Sequence, residues 1–152
     1  VLQPLLSDSS VTMSPLRQAV SDAADIASPH VVKVVVDNQG DALYFSRSPI
    51  PFRREEGPAN GAAKGGYYVT DVECGFSRSV YKHIGLYGFR RDFLLTFAAL
   101  PQTPLERAES LEQLRALEHG YRIRTVMTRY ESIEVDTPED LERVRQLMAT
   151  RV

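Results

Sequence analysis

The run Val31-Val32-Lys33-Val34-Val35-Val36 and the stretch that follows it decide the fold class. Five of its six residues are the β-branched valine, which favours a strand. Asp37-Asn38-Gln39-Gly40 supplies turn chemistry, and Ala42-Leu43-Tyr44-Phe45-Ser46 returns to strand character. The stretch therefore predicts a β-hairpin.

Strands alternate with helices on the carboxyl-terminal side of the hairpin. Lys82 to Phe89 is predicted as a strand, Asp92 to Leu100 as a short helix stopped by Pro101, and Arg122 to Thr128 as another strand. Arg53 to Gly66 is rich in Gly, Ala and charge, without periodicity, and is expected to be a mobile surface loop. This alternation indicates an α/β fold with helices on the faces of a mixed sheet.

Two segments carry the signature of a helix start. Thr103-Pro104-Leu105-Glu106 has the form of a capping box, and it predicts a helix to about His119, ended by Gly120. Thr137-Pro138-Glu139-Asp140 repeats the pattern before a terminal helix. The expected buried positions are Leu105, Ala108, Leu111, Leu114 and Leu117 in the first helix, and Leu141, Val144 and Leu147 in the second.

One segment has two readings. Val11 to Ala27 fits either a helix from Pro15 or a strand over residues 11–16.

Length and composition place the chain as one globular domain, residues 1–152. A net charge of −2 with intermixed signs argues against nucleic acid or an anionic membrane as a partner. The absence of a signal-peptide pattern favours the cytoplasm, and the single Cys74 fits a reducing compartment. Because the chain opens at Val1 on what reads as domain interior, we expect it to be a fragment.

Four segments follow one another in a characteristic order: Val32 to Val35 running into Ala42 to Pro51, Lys82 to Arg91, Pro104 to Arg115, and Val135 to Leu141. Together they resemble the CMP-Kdo synthetase family, the 3-deoxy-manno-octulosonate (Kdo) cytidylyltransferases. The resemblance covers roughly residues 11–148 and implies a partial, Rossmann-like nucleotide-diphosphosugar-transferase fold. It matches the carboxy-terminal, sugar-acid-binding and dimerisation half of that family, without the amino-terminal loop that wraps the CTP phosphates.

The resemblance implies a reaction and its cofactor. The 2-hydroxyl of Kdo attacks the α-phosphorus of CTP, giving CMP-Kdo and pyrophosphate for lipopolysaccharide synthesis. Phosphoryl transfer of this kind relies on positioning and on charge stabilisation, here with Mg²⁺. A homodimer is expected for the full-length protein, and this chain alone is expected to be incomplete for catalysis.

The resemblance also implies the site residues. Asp136, between a predicted strand and a capped helix, corresponds to a catalytic carboxylate that holds Mg²⁺. Arg47 is expected to pair with the Kdo carboxylate. His83 and Tyr87 lie four residues apart on one strand and are expected to bracket the sugar, with open space at Gly85 and about 13 Å between their Cα atoms.

The remaining sugar contacts are expected on the helix that follows Pro104. Glu109 and Gln113 lie one helical turn apart and are expected to read sugar hydroxyls, with Glu112 as their neighbour. Which glutamate faces the site stays open at this point. Without the resemblance, each of these residues would more often be an ordinary surface or core residue, and Asp136 an ordinary helix-start residue.

Two alternatives remain beside the enzyme. One is a synthetase for another CMP-sugar acid, and the other is a non-catalytic sugar-acid-binding or dimerisation module.

Overall fold

A computed structural model describes residues 1–20, 22–52, 80–130, 135 and 138–149. The expected loop at 53–66, the helix cap at Thr137 and the carboxylate of Asp136 lie outside these ranges. The helices are α1 Gln3–Ser7, α2 Ala23–Ala27, α3 Arg91–Ala99, α4 Pro104–Glu109, α5 Gln113–Glu118 and α6 Pro138–Ala149. The strands are β1 Met13–Val20, β2 Lys33–Val36, β3 Ala42–Ser46, β4 Val80–Phe89 and β5 Val126–Met127.

The strands form one mixed sheet in the order β3-β2-β4-β1-β5. β4 is antiparallel to both β1 and β2, and β3 is antiparallel to β2. β5 is parallel to β1, which makes the sheet mixed, as predicted. None of the helices in the part of the chain that the structure describes is long and apolar enough to cross a bilayer.

The predicted hairpin is confirmed. β2 and β3 pair with Val34 opposite Phe45, and both of these side chains are buried. The connecting turn is held by the Asp37 carboxylate, which accepts hydrogen bonds from the backbone amides of Gln39 and Asp41 at 2.8 Å each. Gly40 closes the turn at φ +86°, a left-handed conformation that favours glycine.

The segment with two readings is a strand followed by a short helix. β1 extends from Met13 to Val20, beyond the strand expected at residues 11–16, and α2 follows it. Met13 and Val20 are both buried, and Met13 joins a core that also contains Phe45, Phe93 and Ile123. Pro15 fits because it lies at an irregularity in the pairing of β1 with β4, where a ladder hydrogen bond is not required.

The prediction of one long helix from Pro104 to His119 is wrong, because the helix is interrupted at Ser110 and continues as a second short helix from Gln113. Ser110 has φ +53°, and the backbone amide of Leu111 bonds back to the Glu106 carbonyl at 3.2 Å. The break turns Leu111 and Leu114 into the core, but it leaves Leu105 39% exposed and Ala108 exposed. The stripe that a continuous helix would bury is therefore interrupted.

The expected helix start at Thr103 and the expected helix end at Gly120 are both confirmed. The Thr103 amide donates to the Glu106 carboxylate at 3.3 Å, which satisfies a backbone donor at the start of α4. Gly120 follows α5 at φ +80°. α3 also ends before Pro101, as expected.

The last two elements differ from expectation. The strand expected over Arg122 to Thr128 shortens to β5, with single bridges linking Ile123 to Met13 and Arg124 to Asp41. α6 forms as expected, but Leu141 and Leu147 are 40% and 43% exposed. Their expected burial is wrong within the described residues, because no described element covers that face.

Candidate functional site

A cleft of about 500 Å³ opens beside the middle of the sheet. This volume lies in the range of small-molecule sites. Its lining residues come from the segment before β2 (His30 and Val32), the end of β3 (Arg47), strand β4 (His83, Gly85 and Tyr87) and the α4–α5 junction (Ser110, Leu111, Glu112 and Gln113). The cleft therefore gathers Arg47, His83, Tyr87, Glu112 and Gln113, which were predicted from positions far apart in the sequence.

The arrangement of His83 and Tyr87 differs from expectation. Their ring centroids lie 5.3 Å apart, so the two side chains contact each other and do not bracket a sugar between them. The cause is a bulge: Tyr87 is opposite Pro15 and Ile84 is opposite Leu16, which leaves Gly85 and Leu86 without a partner on β1. His83 also packs edge-on against Phe45 at 5.2 Å. The two rings thus form one continuous aromatic and imidazole wall.

Two buried nitrogen atoms of the cleft residues have no hydrogen-bond partner among the described residues: His83 Nε2 and Gln113 Nε2. Gln113 is only 4% exposed. Burial lowers the pKa of His83 from 6.5 to about 4, so the imidazole is neutral at pH 7. A neutral imidazole and a primary amide are groups that pair with hydroxyls, and leaving them buried and unpaired costs free energy.

Arg47 is fixed by neutral acceptors. Its Nε donates to the Glu109 carbonyl at 2.8 Å, one terminal nitrogen donates to Pro29 at 3.1 Å, and the other donates to Ser110 at 3.4 Å. Carbonyl oxygens orient the guanidinium without neutralising its charge. Arg47 consequently presents an oriented cation at the cleft.

Glu109 does not line the cleft. Its carboxylate accepts hydrogen bonds from Ser46 Oγ at 2.6 Å, from the Arg47 amide at 2.9 Å and from the Tyr44 hydroxyl at 3.3 Å. Burial alone would raise the pKa of Glu109, but these hydrogen bonds outweigh it and hold the pKa below 4.5. Glu109 thus ties α4 to the end of β3 and positions Arg47, while the exposed Glu112 lies at the cleft.

Lys33 is a residue that the sequence reasoning missed. Its side chain is fully buried, and its ammonium donates to Ser28 O at 2.8 Å, to Val31 O at 2.6 Å and to Arg47 O. Burial lowers the pKa of Lys33, partly opposed by the nearby Glu109 carboxylate. The available signal was a single lysine inside a run of valines, since a buried charge needs partners.

Two further lining residues were missed. His30 precedes β2 in the segment that Lys33 and Arg47 hold in place, and Ser110 occupies the helix break. Neither has a local sequence signal, because each reaches the cleft only through the packing of other segments. Within the described ranges, no cluster of three or more His, Cys, Asp or Glu side chains could hold a metal ion.

Comparison with known proteins agrees with this architecture. Residues 1–133 match the family model described as cytidylyltransferase. The chain therefore belongs to the cytidylyltransferase family.

Individual relatives give a more specific name than the family model does. The chain is 50% identical to the 3-deoxy-manno-octulosonate cytidylyltransferase of Solibacter usitatus, over 98% of this chain and 52% of that protein. It is 52% identical to the protein of the same name from Geotalea uraniireducens, over 94% of this chain and 54% of that one. The chain spans about half the length of the curated relatives it matches.

A solved structure supports the same relationship. CMP:2-keto-3-deoxy-manno-octonic acid synthetase, complexed with CTP, superposes with a TM-score of 0.79 and 40% sequence identity. The match covers 99% of this chain and 54% of that one. The family resemblance and the nucleotidyltransferase-like fold predicted from the sequence are thereby confirmed.

Proposed function

We propose that this chain supplies the sugar-acid-binding part of an enzyme that transfers CMP from CTP to the 2-hydroxyl of Kdo and releases pyrophosphate for lipopolysaccharide synthesis. The observation that carries the proposal is the pair of unpartnered buried nitrogens, His83 Nε2 and Gln113 Nε2, on residues that line one cleft. A polyhydroxylated ligand would satisfy both nitrogens with hydroxyl groups. The relatives at about 50% identity are named for the same sugar acid.

The roles of the cleft residues follow from their chemistry. Arg47, oriented by carbonyl oxygens, would pair with the Kdo carboxylate. His83, Tyr87, Glu112 and Gln113 would hydrogen-bond sugar hydroxyls. Holding the sugar in one orientation presents its 2-hydroxyl for in-line attack on the α-phosphorus, and such positioning supplies much of the catalysis in phosphoryl transfer.

The proposal includes Mg²⁺, with Asp136 as a ligand, and CTP as the second substrate. A carboxylate oxygen suits Mg²⁺, and the ion would stabilise negative charge on the phosphates. Support for Asp136 comes from its place in the Val135 to Leu141 segment that resembles the family. Homodimerisation and a cytoplasmic location complete the proposal and rest on the resemblance and the sequence pattern.

The test of sugar binding uses Gln113→Met, a change that nearly preserves shape. Calorimetric titration of Kdo, with and without CTP and Mg²⁺, should show binding to the unchanged chain and at least a tenfold loss in Gln113→Met. Because the buried amide nitrogen has no partner among the described residues, its removal should leave the thermal midpoint of the variant equal or higher. The matched control is Gln102→Met, at an exposed position, which should bind normally.

Failure of the unchanged chain to bind Kdo under either condition would reject the sugar-acid site. Catalysis is tested by pyrophosphate release from CTP, Kdo and Mg²⁺, using this chain alone and joined to the remaining half of the Solibacter usitatus relative. We expect activity only in the joined protein and its loss in Asp136→Asn. Binding without activity in the joined protein would favour the non-catalytic module, and tighter binding of a different sugar acid would favour the other synthetase.

A further inference from the structure

Gly85 differs from the other glycines that the structure describes. Gly40 and Gly120 adopt φ values of +86° and +80°, where a side chain would strain the backbone. Gly88 lies in a crowded place, because an added Cβ would lie 2.9 Å from Leu5 Cδ1 and 3.1 Å from the Val1 carbonyl oxygen, so both neighbours would have to shift. Each of these three glycines has a structural reason.

Gly85 has neither of these reasons. Its φ lies outside the left-handed range, and a Cβ built on it would meet no atom of the described residues within 4 Å. A glycine inside a strand nevertheless destabilises the fold relative to alanine, because glycine loses more conformational freedom on folding. The described part of the fold therefore gains nothing from glycine at this position.

The position of Gly85 indicates what the glycine serves. It lies in β4 between His83 and Tyr87, in the bulged segment, and it lines the cleft. The bulge itself does not explain it, because the type of bulge that needs glycine uses a left-handed φ. An added side chain would enter open space, and Gly85 lines the cleft together with His83 and Tyr87, whose rings contact each other.

We propose that Gly85 is a specificity-determining residue of the cleft, and that its missing side chain leaves the space in which the sugar-acid ligand lies. The inference rests on the proposed function, since it takes Kdo as the ligand. A methyl or isopropyl group at position 85 would exclude ligand atoms from this volume while leaving the sheet intact. Kdo affinity should therefore fall as the side chain at position 85 grows, with no matching loss of stability.

The experiment compares Gly85→Ala and Gly85→Val with Gly88→Ala. Gly88 is a strand glycine three residues away, where an added Cβ would meet Leu5 and the Val1 carbonyl group. Kdo affinity is measured by calorimetric titration, and stability by thermal unfolding followed by circular dichroism. We expect Gly85→Ala to retain or raise the thermal midpoint and to bind Kdo at least tenfold more weakly. Gly85→Val should remain folded and show no measurable binding, and Gly88→Ala should lower the midpoint.

The outcomes separate this inference from the proposed function. Wild-type Kdo binding with unchanged affinity in both Gly85 variants would overturn the inference and leave the proposed function standing. A lowered thermal midpoint in Gly85→Ala, with normal affinity in the folded protein, would also overturn it, because the glycine would then serve packing. Absence of Kdo binding by the unchanged chain would overturn both.

Discussion

Glu109 and Glu112 lie on either side of the helix break at Ser110, and their removal should have different main consequences. Glu109 accepts hydrogen bonds from Ser46 Oγ at 2.6 Å and from the Arg47 amide at 2.9 Å, whereas Glu112 is exposed at the cleft. Glu109→Ala should therefore destabilise the fold. Glu112→Ala should leave stability nearly unchanged and weaken Kdo binding instead.

The expected magnitude for Glu109 follows from its two shorter hydrogen bonds. Hydrogen bonds to a charged group contribute about 1.5–3 kcal/mol each, so the pair from Ser46 and Arg47 amounts to about 3–6 kcal/mol. Removing the carboxylate also removes the cost of burying it, which leaves an expected loss of about 2–4 kcal/mol. For the exposed Glu112, a change within about 0.5 kcal/mol is expected.

The pH dependence of stability provides a second readout. The folded-state pKa of Glu109 lies below its ordinary value of 4.5, so its contribution is fully present above that pH. The contribution is lost as the pH falls through the lower, folded-state pKa. The stability difference between the unchanged chain and Glu109→Gln should consequently shrink below about pH 4.5.

Urea unfolding of the unchanged chain, Glu109→Ala, Glu109→Gln and Glu112→Ala, from pH 7 to pH 3.5, measures these differences, and Kdo titration at pH 7 measures affinity. We expect Glu112→Ala to bind Kdo at least tenfold more weakly. A loss under 1 kcal/mol in Glu109→Ala would contradict its role in holding β3. Equal destabilisation by Glu112→Ala would contradict its assignment to the cleft.

Two further predictions concern buried ionisable groups. As the pH falls from 6.5 to about 4, the unchanged chain should lose about 3 kcal/mol of stability relative to His83→Phe, because the unfolded state binds a proton and the folded imidazole does not. Urea unfolding at a series of pH values measures this difference. Parallel curves of unfolding free energy against pH for the two proteins would contradict a neutral imidazole at His83. Glu106→Ala should lower the free energy of unfolding by about 3–5 kcal/mol, because it leaves the largely buried Arg115 without its ion-pair partner; the Glu106 and Arg115 side chains are 4% and 14% exposed. The control Glu142→Ala, in a pair that is 59% and 67% exposed, should cost under about 1 kcal/mol, and similar losses in both variants would contradict the reasoning.

The sequence predicted those elements whose signal is local. The hairpin follows from valines around an Asp-Asn-Gln-Gly turn, and the start of α4 from a cap and a glutamate three residues later. These signals lie within a few residues and depend little on the rest of the fold. Arg47 follows directly on the predicted strand β3, but its place at the cleft was expected from the family resemblance and not from a local signal.

The errors arise where a single backbone conformation changes which residues share a face. A continuous helix would place Glu109 and Gln113 together, but Ser110 at φ +53° directs Glu109 to β3 and leaves Glu112 and Gln113 at the cleft. In the same way, the β4 bulge brings His83 against Tyr87. A left-handed serine and a bulge without left-handed glycine have no reliable sequence signature, because tertiary packing selects them.

Unpartnered buried polar atoms do not by themselves locate a ligand. Ser14 Oγ and Gln18 Oε1 on β1 also have no partner among the described residues, yet neither residue lines the cleft. The cleft differs because three independent features coincide there. They are the unpaired nitrogens on His83 and Gln113, a glycine at position 85 that the described fold does not require, and Arg47, which hydrogen bonds to Glu109 and Lys33 hold in place. The first two features cost folding free energy, and a bound sugar would satisfy the nitrogens and fill the space beside Gly85. Their coincidence in one cavity is therefore better explained by ligand binding than by the packing of the chain alone.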